Sequence, residues 1–420
     1  MSERRRRSLT HVGGEVLTAG NREVGQALAK AIAVAPPGEP GGAEDEPDRA
    51  HVHGFHAYPA RMHPAIAASL VGTVSRPGAT VLDPFCGSGT VLVEAMIAGR
   101  RAVGTDLNPL AVGLAKLKTT PLGASREELV VAAQDIAAFA DKRRVQRAGA
   151  TRRYPPEDVS AFDPHVLLEL DSLRAGIERH AGDPRVHDAL WLLLSAILLK
   201  MSRQTSDTST TVAARRIGAG FAARLFARKA EELARRLAQF EALLPPAPPT
   251  ASLAMPGAST ARIALDDATR LRTVAASTID AVITSPPYVA TYDYVAHHAL
   301  RMRWLGIDTR TMTGELGSRR RYARLEPAAA RESWSRELGA ALKALSRVCR
   351  KGARVVLMMA DSAVGGEALR ADAIVEEVAP GAGFSWVARA SQRRPHFHQP
   401  TAQAFARVPR AEHAIALEKR

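Results

Sequence analysis

The stretch from 80 to 106, TVLDPFCGSGTVLVEAMIAGRRAVGTD, restricts the fold more than any other part of the chain. An apolar run ends on Asp83, a turn with Gly87 and Gly89 follows, and a helical pattern then leads to a second apolar run ending on Asp106. This is a β-α-β unit, and a strand that returns parallel through a helix implies a sheet covered by helices. Ligands of such sheets collect at the carboxyl ends of the strands. Both acids stand at those ends.

Later segments extend the pattern. ARIALDD at 261–267, DAVITSPPY at 280–288, ARVVLMMADS at 353–362, FSWVARAS at 384–391 and EHAIALEKR at 412–420 read as further strands. Between 121 and 260 the alternation stops: HVLLELDSLRAGIERH and FAARLFARKAEELARRLAQFEALL have helical periodicity, and a proline-rich connector, LLPPAPPTASLAMPG, follows. We expect one α/β Rossmann-like sheet, interrupted by a helical insertion and then resumed. The expected units are a mobile tail (1–50), a cofactor-binding half (51–120), the insertion (121–260) and a catalytic half (261–420). VAPPGEPGGAEDEPDRA at 34–50 has almost nothing to bury, so the fold is expected to start near His51.

Charge points to the partner. The 57 Lys and Arg against 43 Asp and Glu leave +14, while residues 1–50 carry seven basic and eight acidic groups, so the excess lies in the later part. Such a surplus attracts a polyanion in a salt-dependent manner. KRRVQRAGATRR at 142–153 and GSRRRYARL at 317–325 are candidate phosphate contacts. Cys86 and Cys349 give no disulfide framework, and the longest apolar run, WLLLSAILLKM, is too short to span a bilayer, so a cytoplasmic protein without a membrane partner is expected. The histidines of HVHGFH and HFH lack ligand spacing for a familiar metal site, and none is expected.

DPFCGSGT at 83–90, GTDLNP at 104–109 and TSPPY at 284–288 together resemble the amino-methylating DNA methyltransferases, which act on cytosine-N4 or adenine-N6. FHAYPARMHP at 55–64 resembles the segment preceding the first motif in that family. The resemblance implies S-adenosylmethionine as cofactor, with Asp83, Gly87 and Gly89 around its methionine end, Phe85 also in the cofactor site, Asp106 on the ribose and, of the pair Asp266 and Asp267, Asp267 near the adenine amine. It also implies that Ser285 and the carbonyl of Pro286 accept the hydrogens of the target amine. Pro286 and Pro287 would hold that backbone rigid and Tyr288 would stack on a base swung out of double-stranded DNA. Ser285 favours cytosine-N4 over adenine-N6. The competing readings are an RNA guanine-N2 methyltransferase, whose motif carries Asp or Asn in place of Ser285, and a nucleic-acid-binding protein that has lost catalysis. A role in restriction-modification fits the family, with the nuclease partner unknown.

Overall fold

β2 (Thr80–Asp83) alternates its side chains between two cores, Val81 packing on one face of the sheet and Leu82 on the other. The computed structural model describes residues 14–33, 49–204, 216–246, 261–312, 314–396 and 399–420. Before β2 come β1 (Val16–Gly20), α1 (Arg22–Ile32), a 3-10 turn (His51–Gly54) and α2 (Pro64–Val74). After it come α3 (Thr90–Ile97), β3 (Arg101–Asp106) and α4 (Pro109–Thr119), then the helices α5 (Ser125–Val145), α6 (Pro156–Ala161), α7 (Pro164–Arg179), α8 (Pro184–Met201) and α9 (Phe221–Leu243). The sheet resumes with β4 (Arg262–Leu265) and β5 (Ile279–Thr284), followed by the short helices α10 (Tyr294–His297), α11 (Ala299–Trp304) and α12 (Arg319–Tyr322). α13 (Pro327–Val348), β6 (Cys349–Ala360), the hairpin β7 (Ser362–Val364) and β8 (Glu367–Leu369), α14 (Ala371–Val378), β9 (Phe384–Arg393) and β10 (Ala411–Lys419) complete the chain.

Among the described residues the main sheet has eight strands in the order β1-β9-β10-β6-β5-β2-β3-β4. β6, β5, β2, β3 and β4 are parallel, whereas β10 runs antiparallel to both β6 and β9. From β2 the chain winds outward through β3 to β4, and from β5 it winds the other way to β6. The junction of β2 and β5 is therefore the topological switch point, where a crevice opens at the strand ends. This is the Rossmann-like α/β fold expected from the strand pattern.

One core contains α1 to α4 together with the inserted helices, and the other contains α13 and α14. The inserted helices are continuous with the body. Leu192 and Leu193 of α8 and Phe240 of α9 join the same apolar cluster as Leu114 of α4. Arg236 of α9 donates through Nη1 to the carbonyls of Arg49 (2.6 Å) and His51 (2.8 Å).

The expected start near His51 is corrected. β1 and α1 precede it, and β1 pairs with β9 from Val16 opposite Gln392 to Gly20 opposite Ala388. α1 buries Leu28, Ala31 and Ile32, and Asn21 caps it by accepting from Val24 N. Five residues, none of them buried, gave little strand signal; pairing with a long neighbour supplies what propensity lacks. Residues 34–48 of the acidic stretch, 247–257 of the proline-rich connector and 397–398 of HFH lie outside the described residues. Among the described residues no helix is long and apolar enough to cross a membrane.

Candidate active site

The glycine turn is held by its neighbours on both sides. Gly87 and Gly89 have φ of +49° and +87°, a region that costs other residues strain. A Cβ on Gly87 would lie 3.3 Å from Cε1 of Tyr58; one on Gly89 would lie 3.1 Å from Cα of Ala115 in α4. Gly89 therefore serves helix packing at the start of α3 and does not line the cavity beside the turn. The Asp106 carboxylate latches the turn to β3, accepting from Gly87 N (2.9 Å) and Asn108 N (2.8 Å). Asn108 caps α4 through Leu110 N and donates to the Tyr58 hydroxyl at 3.4 Å. Tyr58, from FHAYPARMHP, stacks on the buried His298 ring at 4.9 Å.

The switch point brings two distant motifs together. Thr284, the last residue of β5, donates its hydroxyl to Asp83 Oδ1 at 2.6 Å, and Asp83 also accepts from Phe85 N. Asp83, Phe85, Gly87, Asp106, Asp267, Ser285 and Pro287 all line one cavity. Asp266 turns away to Thr273, leaving Asp267 on the wall. Pro286 is buried, and neither it nor Tyr288 is on that wall; the Tyr288 hydroxyl instead donates to Glu412 at 2.9 Å. The opposite wall comes from a segment that sequence reasoning did not single out: Tyr294, Met312, Glu315 and Leu316. Glu315 accepts from Tyr294 N at 2.6 Å, and Ala290 N bonds to the Gly317 carbonyl, which folds this segment back over the strand ends.

The cavity is acidic. Burial pushes the Asp83 carboxyl up to about 7 against the opposing help of Thr284 and Phe85 N, and pushes Asp106 up to about 6 and Glu315 up to about 7. Four carboxyl side chains face one basic one, Arg61. A cationic ligand would offset the cost of ionising them. Ser88 Oγ and Thr90 Oγ1, also on the wall, are buried with no partner among the described residues, so two hydroxyls beside the N-terminus of α3 suit an anionic group on the same ligand. S-adenosylmethionine carries sulfonium and ammonium charges, a carboxylate and ribose hydroxyls, and the residues present fit it.

Elsewhere among the described residues two groups of side chains stand close enough to hold a cation, His51, His53 and Glu94, and Asp361, Asp372 and His413. In the first, Glu94 Oε1 already lies 2.7 Å from His53 Nε2, and Arg236 and Lys118 help burial lower His51 to about 4. In the second, Arg370 and Arg389 engage the two aspartates.

Residues 38–117 match the family model N6_N4_Mtase, DNA methylase. The chain is 40% identical over 77 residues to the type II methyltransferase M.MvaI of Kocuria varians, covering 18% of this chain and 17% of that protein. It is 35% identical over 68 residues to the type II methyltransferase M.MjaII of Methanocaldococcus jannaschii, covering 16% and 13%. Similarity to a tRNA (guanine(10)-N2)-dimethyltransferase of Methanothermobacter thermautotrophicus is 42% over 52 residues, covering 12% and 16%. The chain thus spans less than a fifth of the length of each of these relatives. The segment that carries the glycine turn and Asp106 is thus the part of this chain that is similar to the amino-methylating DNA methylases.

Proposed function

We propose that this protein transfers a methyl group from S-adenosylmethionine to the exocyclic amine of a flipped base in DNA, cytosine-N4 ahead of adenine-N6. The observation that carries the reading is the switch-point cavity, in which the acids of the first two motifs meet Ser285 and Pro287 of TSPPY through the Thr284–Asp83 hydrogen bond. Bound S-adenosylmethionine supplies an electrophilic methyl group. Asp106 orients the ribose, and Asp83 and Glu315 stabilise positive charge. An aromatic amine is a poor nucleophile because its lone pair is delocalised into the ring. Ser285 Oγ and the Pro286 carbonyl would accept its two hydrogens and favour the tetrahedral nitrogen; its lone pair would form the bond to the methyl carbon as the carbon–sulfur bond breaks, leaving the neutral thioether, and the methylated amine would then lose one proton to water. Two prolines in succession preorganise that carbonyl. Tyr288 offers a face for the base and helps offset the few kcal/mol of unstacking. In this reading the surplus of positive charge holds the duplex, and the inserted helices α5 to α9 are candidates for target recognition.

A second reading, methylation of a guanine amine in structured RNA, draws on the similarity to the tRNA guanine-N2 dimethyltransferase. Serine rather than Asp or Asn before Pro286 favours DNA. Incubation with S-adenosylmethionine and unmethylated DNA or tRNA, digestion to nucleosides and mass spectrometry separate the readings. The expected product is N4-methylcytosine. N6-methyladenine alone overturns the choice of base, methylguanosine in tRNA moves the enzyme to the second reading, and no methylated base overturns both.

A further inference from the structure

Tyr288 is held at both ends. Its backbone follows Pro286 and Pro287, and its hydroxyl donates to Glu412 Oε1 at 2.9 Å across 124 positions of sequence. Glu412 is the second residue of β10, opposite Gln392 of β9 and Ala360 of β6, so its backbone is fixed by ladders on both sides. Its other oxygen accepts from Arg394 Nε at 2.9 Å. The Arg394 side chain is 1% exposed and its Nη1 has no partner among the described residues, so Glu412 is the anion to which this buried cation is committed. The Arg394 backbone N–H in turn bonds to the Arg410 carbonyl, tying the residue after β9 to the residue before β10.

A buried arginine and glutamate cost desolvation that an apolar pair would avoid, and such a pair is well suited to fixing one geometry. The group it fixes is the phenol of TSPPY. A ring attached only at Cβ turns about two side-chain torsions, whereas a ring whose hydroxyl is also held has its plane set in advance. Stacking on a base requires a set plane, because every degree of freedom lost on binding weakens the stack.

We propose that Glu412, braced by Arg394, is a positioning residue that sets the plane of Tyr288 for the target base. The proposal rests on the reading of TSPPY given above and names a residue outside every motif quoted for that reading. Glu412 acts through the phenol, so its contribution disappears when the phenol hydroxyl is absent.

A double-mutant cycle on the full chain tests this, with methylation of unmethylated genomic DNA as the assay and S-adenosylmethionine affinity by calorimetry as the control. Tyr288→Phe and Glu412→Ala are each expected to lower kcat/KM about tenfold, and the double variant no further than either one, as for residues acting as a unit. Glu412→Gln keeps an acceptor for the hydroxyl and is expected to recover activity to within about threefold of the unaltered chain. Cofactor affinity should stay within about twofold throughout, which also reports that each variant is folded. If Glu412→Ala fails to fold, the cycle is run with Glu412→Gln and Tyr288→Phe, in which the double variant must again match Tyr288→Phe alone. Additive losses in an active enzyme, or full activity in Glu412→Ala, overturn the positioning role. An unaltered chain that binds S-adenosylmethionine but methylates no base overturns the functional reading instead.

Discussion

Replacing Asp106 by alanine removes the acceptor that joins the glycine turn to β3. Its two oxygens receive Gly87 N and Asn108 N at 2.9 and 2.8 Å, and each oxygen keeps a lone pair for a ribose hydroxyl. Hydrogen bonds to a charged acceptor contribute roughly 1.5–3 kcal/mol each, but the burial that raises this carboxyl to about 6 offsets about 3 kcal/mol of that in the ionised form, so a net loss of about 1–2 kcal/mol in folding stability is expected at pH 7.5. Losing the ribose contacts should weaken S-adenosylmethionine binding at least about tenfold, or about 1.4 kcal/mol. Urea denaturation without ligand gives the first quantity, and calorimetry at pH 7.5 on the folded fraction gives the second. pH adds an independent check. The Asp106 carboxyl is raised to about 6 by burial, so in the free protein its stabilising, protonated form is present below the ordinary carboxylate range and is lost as pH rises through 6. A cationic ligand prefers the ionised form. Affinity of the unaltered protein should therefore increase between about pH 5.5 and 7, with proton release on binding, and Asp106→Asn should flatten that rise. Unchanged affinity in folded Asp106→Ala, or a rise with pH that survives Asp106→Asn undiminished, would refute the assignment.

Thr284→Val removes the donor that holds the Asp83 carboxyl down, so the pH at which cofactor affinity reaches half its plateau should move upward; calorimetry across pH 6–8 reads the shift, and an unmoved midpoint separates Asp83 from the binding of charge. Gly89→Ala should cost about 1–3 kcal/mol in a urea titration, through its left-handed backbone and the approach of Ala115, while the folded variant keeps its cofactor affinity; a selective loss of affinity would return Gly89 to the ligand. The largely exposed guanidinium groups of Arg319 and Arg320 lie 3.6 and 3.8 Å from Asp293, whereas Arg143 donates at shorter range to Ser172 Oγ and the Gly149 carbonyl and Arg144 to Asp141, all within the insertion. Neutralising Arg319 and Arg320 should therefore lower the slope of log affinity for DNA against log salt by about 1.8, and neutralising Arg143 and Arg144 should lower it less; equal slopes would place the phosphate grip elsewhere.

The side of the cavity legible in the sequence is the one built from local units. A strand, a glycine turn and a helix must be consecutive, so Asp83, Gly87 and Asp106 announce their place by spacing alone, and the parallel order of β2, β3, β5 and β6 follows from alternation with helices. TSPPY ends a strand for the same reason. A residue's task is not legible where it depends on a neighbour far along the chain. The spacing of Gly89 does not disclose its approach to Ala115, and β1 is a weak strand until β9 lies beside it. Glu315 and Glu412 belong to no repeated pattern. One reaches the cavity because a segment folds back through the Ala290–Gly317 hydrogen bond, the other because β10 returns antiparallel beside β6. This division has a physical cause: a fold can keep the turn that grips a common ligand local, because that ligand always presents the same atoms. The wall facing a variable target is assembled from long-range pairings, where single residues can change without disturbing the turn. The residues that hold Tyr288 and close over the cavity are accordingly where this chain should differ most from relatives that share its glycine turn.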